Sequence, residues 1–164
     1  MSSLAKEVRK FIIIPALNQT SLWSESAEIL VYGTGWIETG YDHIMQIGTP
    51  KNGGVGPFQC QPSDYLDTRI WLQNGFTKGM MQRILFACSY SSLSTDADIL
   101  ASNWKLAALM CRVHYYRIKE PLPQKDDAEG MAHYHFKYYN GNGEGKTNVE
   151  RNTDTFRRII NGEL

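Results

Sequence analysis

Residues 24–40 read SESAEILVYGTGWIETG, a helix with both of its ends written into it. Ser24 can cap the free amides of a first turn, Ala27, Leu30, Val31 and Ile37 supply apolar positions, and Gly40 marks the stop. Glu38 therefore falls in the last turn. The helix dipole puts partial negative charge there, which disfavours ionisation of a carboxyl and suits it to hold a proton. Downstream, from Tyr41 to Gln61, the helical period is lost and Gly48, Pro50, Gly53, Gly54, Gly56 and Pro57 dictate turns, with a small hairpin as the one strand-like feature. A glycine-rich turn ending in Gly54-Val55-Gly56-Pro57-Phe58-Gln59 is flexible enough to fold back over the helix end and dry the carboxyl further. An isolated Glu in a last turn is nonetheless ordinarily a solvated surface residue, so this segment alone assigns no chemistry.

Outward from this centre the chain reads as more helices. Leu4, Val8, Phe11 and Ile12 share one face of a first helix that Pro15 should end. Pro62-Ser63 opens a helix that stops at Gly75, and another follows from Lys78 to Ser89. Thr95 or Asp96 caps a long helix through Leu100, Trp104, Ala107, Ala108, Cys111 and Tyr115, ending before Pro121, whose broad apolar surface predicts the centre of the fold. Arg112, Arg117 and Lys119 should form its wet face. Asp126 or Asp127 starts a helix through Met131, Tyr134 and Tyr138 to Gly141, and a final short one spans Thr153 to Ile160. The fold class expected is mainly α (α+β), one domain over residues 1–164 with a small β-hairpin or loop region after the Glu38 helix.

Composition narrows the function. With 164 residues and 42% hydrophobic content the chain can bury roughly 70% of its unfolded surface, which excludes disorder. Seventeen basic residues balance seventeen acidic ones, so neither a nucleic-acid groove nor an anionic membrane is an expected partner. Cys60, Cys88 and Cys111 have no CxxC spacing, and His43, His114, His133 and His135 show no ligand spacing, so no disulfide framework, metal or cofactor is expected. His133 and His135, two apart on a helix, point to different faces. The apolar run Phe11–Ile14 is too short for a signal peptide and no stretch reaches the ~20 apolar residues of a membrane span. Gly143-Glu144-Gly145-Lys146-Thr147 has the tail of a phosphate loop without its first glycine, and Ser89, Ser91 and Ser92 lack a nucleophile-elbow frame.

The order Glu38-Thr39-Gly40, then Gly56-Pro57-Phe58-Gln59, then Pro62-Ser63, and far downstream Tyr139-Asn140, resembles the lysozyme-like lytic transglycosylases, and more narrowly the small peptidoglycan-cleaving proteins of bacteriophage particles. Residues 29–68 carry most of the likeness. Two positions depart from the pattern: Phe58-Gln59 stands where Met-Gln is usual, and Tyr138-Tyr139-Asn140-Gly141-Asn142 where Ala-Tyr-Asn-Ala-Gly is usual.

The resemblance implies a lysozyme-like fold and cleavage of the β-1,4 bond between N-acetylmuramic acid and N-acetylglucosamine. Glu38 is then the catalytic acid, and Gln59, Tyr139 and Asn140 bind substrate, with Tyr139 holding either the Glu38 carboxyl or the sugar. Asp42, Asp64 and Asp67 are the candidates for a second carboxylate, but Asp64 and Asp67 fit the start of their own helix, so a single-acid transglycosylase ranks above a hydrolytic muramidase. A virion structural or wall-binding protein without turnover is the remaining alternative. The implied partners are peptidoglycan glycan strands and other virion or tail proteins. The implied location is the particle, or the host cytoplasm before delivery to the wall.

Overall fold

The computed structural model describes residues 3–44, 53–140 and 146–164. It is mainly helical, as the periodicity requires, and the differences from expectation each have a local cause. The first is at Pro15. A proline inside a helix removes one backbone hydrogen bond and presses its ring on the carbonyl four residues earlier. Here the chain does not stop; it widens. Helix α1 (Ser3–Val8) runs into a π-turn (Arg9–Ile13) and on into α2 (Ile14–Gln19), with the Ile14 N–H reaching back to the Arg9 carbonyl. The extra residue of the π-turn rotates the face. Ala5, Val8, Ile13, Ala16 and Leu17 are buried, while Leu4 and Phe11, expected on the inner face, are 44% and 64% exposed.

Helix α3 (Glu25–Glu38) begins as its sequence dictates, the Ser24 hydroxyl accepting from the Ala27 amide, and is buried almost all round from Ala27 to Gly35. Such burial needs close neighbours. Gly33 supplies one approach: a Cβ there would come closer than 3.0 Å to the Phe156 ring of α9 (Lys146–Ile160). Helix α4 (Pro62–Leu72) starts at the proline, a 3₁₀ turn spans Gly75–Thr77, and α5 (Lys78–Cys88) follows.

The long helix expected from residue 95 to 115 is broken. A short α6 (Ile99–Ser102) ends at Asn103, whose side chain accepts from the Leu106 amide and caps a new helix, α7 (Trp104–Tyr116). Helix α7 is the buried centre, with Leu106 to Val113 and Tyr115 inside. Arg112 is inside too, contrary to its expected place on the wet face: its Nε donates to the Leu22 carbonyl at 3.0 Å and its guanidinium lies over the Tyr116 ring. Arg117 stays at the surface but donates to Thr68 Oγ1 of α4 at 3.1 Å, and Lys119 is exposed.

Helix α8 (Ala128–Tyr138) is capped by Asp127, which accepts from the Gly130 amide, and it packs on α9, itself laid against α3. Helix α9 starts at Lys146, seven residues before the expected Thr153.

Among the described residues the expected hairpin amounts to one antiparallel bridge between Val55 and Cys60, whose amides exchange hydrogen bonds of 2.9 and 3.1 Å around a tight turn. Gly56 holds the turn at φ +76, so close to Leu100 that a Cβ would fall 2.7 Å from its carbonyl oxygen. Residues 45–52, with Gly48 and Pro50, and residues 141–145, with Gly141, Gly143, Glu144 and Gly145, lie outside the described residues. No helix among the described residues is long and apolar enough to cross a membrane.

Candidate active site

Glu38 is the last residue of α3, and the chain beyond it is stapled in place. Gly40 at φ +60 closes the helix by donating to the Gly35 and Trp36 carbonyls. Thr39 then ties the helix end to the glycine-rich turn. Its hydroxyl donates to the Pro57 carbonyl at 2.8 Å and accepts from the Tyr41 amide at 3.0 Å. Tyr41 fills the space behind, its ring stacked on Tyr32, its edge on Phe58, and its hydroxyl donating to the Tyr32 carbonyl. The turn thus does fold back over the end of the Glu38 helix.

A second tie comes from α8. The Tyr139 hydroxyl donates to the Phe58 carbonyl at 2.7 Å, 81 residues away in sequence. The Tyr139 phenol proton is thus engaged by the turn, while the residue also lines the cleft. Burial raises the Tyr139 phenol well above its usual range, with the neighbouring Cys111 adding to the effect, so it stays a donor. Gln59, held between the two ties at φ +47, donates its own amide to the Gly56 carbonyl at 2.9 Å.

These elements enclose a cleft of about 320 Å³, at the small end of the ~300–1,000 Å³ usual for ligand pockets. Glu38, Gln59, Tyr139 and Asn140, all singled out from sequence, line it together. So do residues the sequence did not nominate: His43, Cys60, Gln61, Thr68, Met110, Cys111 and His114. Asp64, in the first turn of α4, lines it as well, whereas Asp42 and Asp67 are exposed and outside the lining.

The wall beside Glu38 is electrically quiet. Burial pushes the Cys111 thiol and the Tyr115 phenol well up, and it raises the Cys60 thiol to about 12, with the Asp64 carboxylate contributing. Among the described residues no group of three or more His, Cys, Asp or Glu side chains is placed to hold a metal ion.

The neighbour that sequence reasoning missed is His135. It is fully buried on α8, its ring stacked on Tyr139, with Nε2 3.3 Å from Glu38 Oε1. The approach falls short of a hydrogen bond in its alignment, and both ring nitrogens and Oε1 are buried without a hydrogen-bond partner. Its position four residues before Tyr139 was the available signal, because that spacing stacks two side chains on one helix face. His133, two residues earlier, points to solvent as the helical period demands.

Glu38 Oε1 is buried, yet the Glu38 side chain is 17% exposed and lines the cleft. No family model matches the chain, and neither the curated proteins nor the solved structures include one similar enough to count as a match.

Proposed function

We propose that this chain has a lysozyme-like fold and cleaves the glycan strands of bacterial peptidoglycan, with Glu38 as the acid that protonates the bridging oxygen. The observation that carries the reading is the convergence of Glu38, Gln59, Tyr139 and Asn140, drawn from three separate parts of the sequence, on one cleft at the end of a buried helix. The proton on Glu38 passes to the glycosidic oxygen as the bond to muramic-acid C1 breaks and positive charge develops on the sugar. The C6 hydroxyl then closes on C1 and returns its proton to Glu38, leaving a 1,6-anhydro end without water. Gln59 and Asn140 sit where they can hydrogen-bond sugar hydroxyl or N-acetyl groups, and Tyr139 holds the turn that presents Gln59. By the same resemblance, the setting is a phage particle or its lysis machinery, with virion or tail proteins as neighbours.

A second reading, a hydrolytic muramidase, is favoured by one observation: Asp64 lines the same cleft as Glu38 and could activate a water. Incubation with peptidoglycan and mass spectrometry of the products separates the two. Anhydro ends, lighter by one water than reducing ends, support the transglycosylase. Reducing ends, lost in Asp64→Asn, support the muramidase. In either case Glu38→Gln should fold and lose at least the ~10²–10⁴-fold that general acid catalysis supplies. A folded Glu38→Gln with wild-type turnover refutes both, and a wild type that binds the wall without cleaving it supports a wall-binding role.

A further inference from the structure

A carboxylic acid that delivers a proton has two oxygens, and only the one facing the substrate is useful. In Glu38 they are not equivalent. Oε1 is buried and lies 3.3 Å from His135 Nε2, while the side chain as a whole keeps 17% of its surface exposed and lines the cleft. His135 has no access to water and no hydrogen-bond partner on either nitrogen, so a doubly protonated ring would leave a buried charge with an orphaned N–H. The surroundings therefore offer a place for one ring proton. Neither nitrogen has a well-aligned hydrogen-bond partner, but only Nε2 has an acceptor close by, Glu38 Oε1 at 3.3 Å, so a proton on Nδ1 would be the more fully orphaned. On Nε2 it faces Oε1. The long, misaligned contact is of the kind that tightens when substrate fills a site.

We propose that His135 is the positioning residue for Glu38: its Nε2–H engages Oε1 as acceptor and so keeps the transferable proton on the cleft-side oxygen. The inference rests on the reading of Glu38 as the acid. The bookkeeping of protons is unchanged by it. The Glu38 proton goes to the leaving oxygen and returns from the C6 hydroxyl, while the His135 proton stays on Nε2 throughout. With the opposite tautomer, bare Nε2 would draw the acid proton to Oε1, on the buried side of the carboxyl.

The remaining groups around the pair leave this role to His135. Cys111 and Tyr115 on α7 and Tyr139 after α8 are held protonated by burial, the Tyr139 hydroxyl is engaged by Phe58, and the Tyr115 hydroxyl pairs with Thr34 Oγ1 at 2.8 Å.

Imidazole nitrogen NMR on the full-length ¹⁵N-labelled protein tests the tautomer directly, with the His135 signals identified by their loss in His135→Gln. The expected result is a neutral Nε2–H ring whose Nε2 signal moves in Glu38→Gln. A neutral Nδ1–H ring overturns the proposal whether or not any variant folds.

The kinetic arm compares His135→Gln, which keeps an N–H donor near the same place, with His135→Phe, which keeps a flat ring and no donor. His135→Phe should lose about 10²-fold in kcat with little change in KM, and His135→Gln should recover most of it. Wild-type rates in His135→Phe, with Glu38→Gln inactive, overturn the proposal alone. Activity surviving in Glu38→Gln overturns the assignment of Glu38, and this proposal with it.

Discussion

Replacing Tyr139 by Phe removes a single oxygen and asks what that oxygen does. The ring should keep its place, because its contacts do not use the hydroxyl: it stacks on His135, meets His114 edge-on and tilts against Tyr115, with centroids 5.6, 5.2 and 5.5 Å away. Hardly any cavity is made. What is lost is the 2.7 Å hydrogen bond to the Phe58 carbonyl, in a residue only 1% exposed. An orphaned buried acceptor costs about 1–3 kcal/mol, and because Tyr139 itself is only half-buried the lower part of that range, about 1–2 kcal/mol, applies. For a domain of this size that lowers Tm by about 2–8 °C.

Turnover per folded molecule should fall by less than about tenfold, since Thr39 still holds the turn through Pro57. The assay pairs thermal unfolding with product release from purified peptidoglycan. The double variant Thr39→Val/Tyr139→Phe should show a coupling above about 0.5 kcal/mol, as two ties on one turn do. An unchanged Tm together with a loss beyond about 10²-fold in kcat would refute the reasoning and return the phenol to the reaction itself, at the scale of a lost transition-state donor.

Other outcomes follow from the same geometry. Gln59→Gly relieves a left-handed backbone while deleting the side chain, so it should leave stability within about 1 kcal/mol of wild type and lower kcat/KM, measured by melting and by peptidoglycan turnover. Gly33→Ala drives a methyl into the Phe156 ring and should destabilise by about 1–3 kcal/mol in urea titrations, with partial recovery in the double variant carrying Phe156→Leu. With its thiol raised to about 12, Cys60 should alkylate at pH 8 about 10–100-fold more slowly than an ordinary thiol, the loss of thiolate being partly offset by its greater nucleophilicity. Asp64→Asn should speed it, followed by mass spectrometry of iodoacetamide adducts.

What the sequence discloses here is what is decided within a turn of chain. Ser24, Pro62 and Asp127 announce helix starts because capping and proline geometry involve residues only a few positions apart, and Gly40 announces a stop for the same reason. Pro15 and Asn103 mislead because each offers two local solutions. A proline can end a helix or be absorbed by a π-turn, and an asparagine can ride on a helix surface or cap a new one; packing of Ile13 and Leu106 into the core selects the second. Arg112 reads as wet because nothing in its neighbourhood reveals that Leu22, 90 residues earlier, offers a carbonyl. Glu38, Gln59, Tyr139 and Asn140 are singled out by an order of short motifs, whereas His135 is signalled only by its place four residues before Tyr139, and its approach to Glu38 behind the cleft comes from helix packing.

The ties that frame the cleft also set when it can exist. Tyr139 reaches Phe58 across 81 residues, Arg117 reaches Thr68 across 49, and Glu38 meets His135 on a helix that is made only after α7 is complete. Contacts of such sequence separation form late, after the loop-closure entropy has been met. A ribosome-bound chain that has not yet exposed α8 lacks the wall that carries His135 and Tyr139, so under the function proposed for Glu38 the half-made protein should be inactive. Activity should accordingly appear in a refolding time course with the last kinetic phase, behind the recovery of helical circular dichroism.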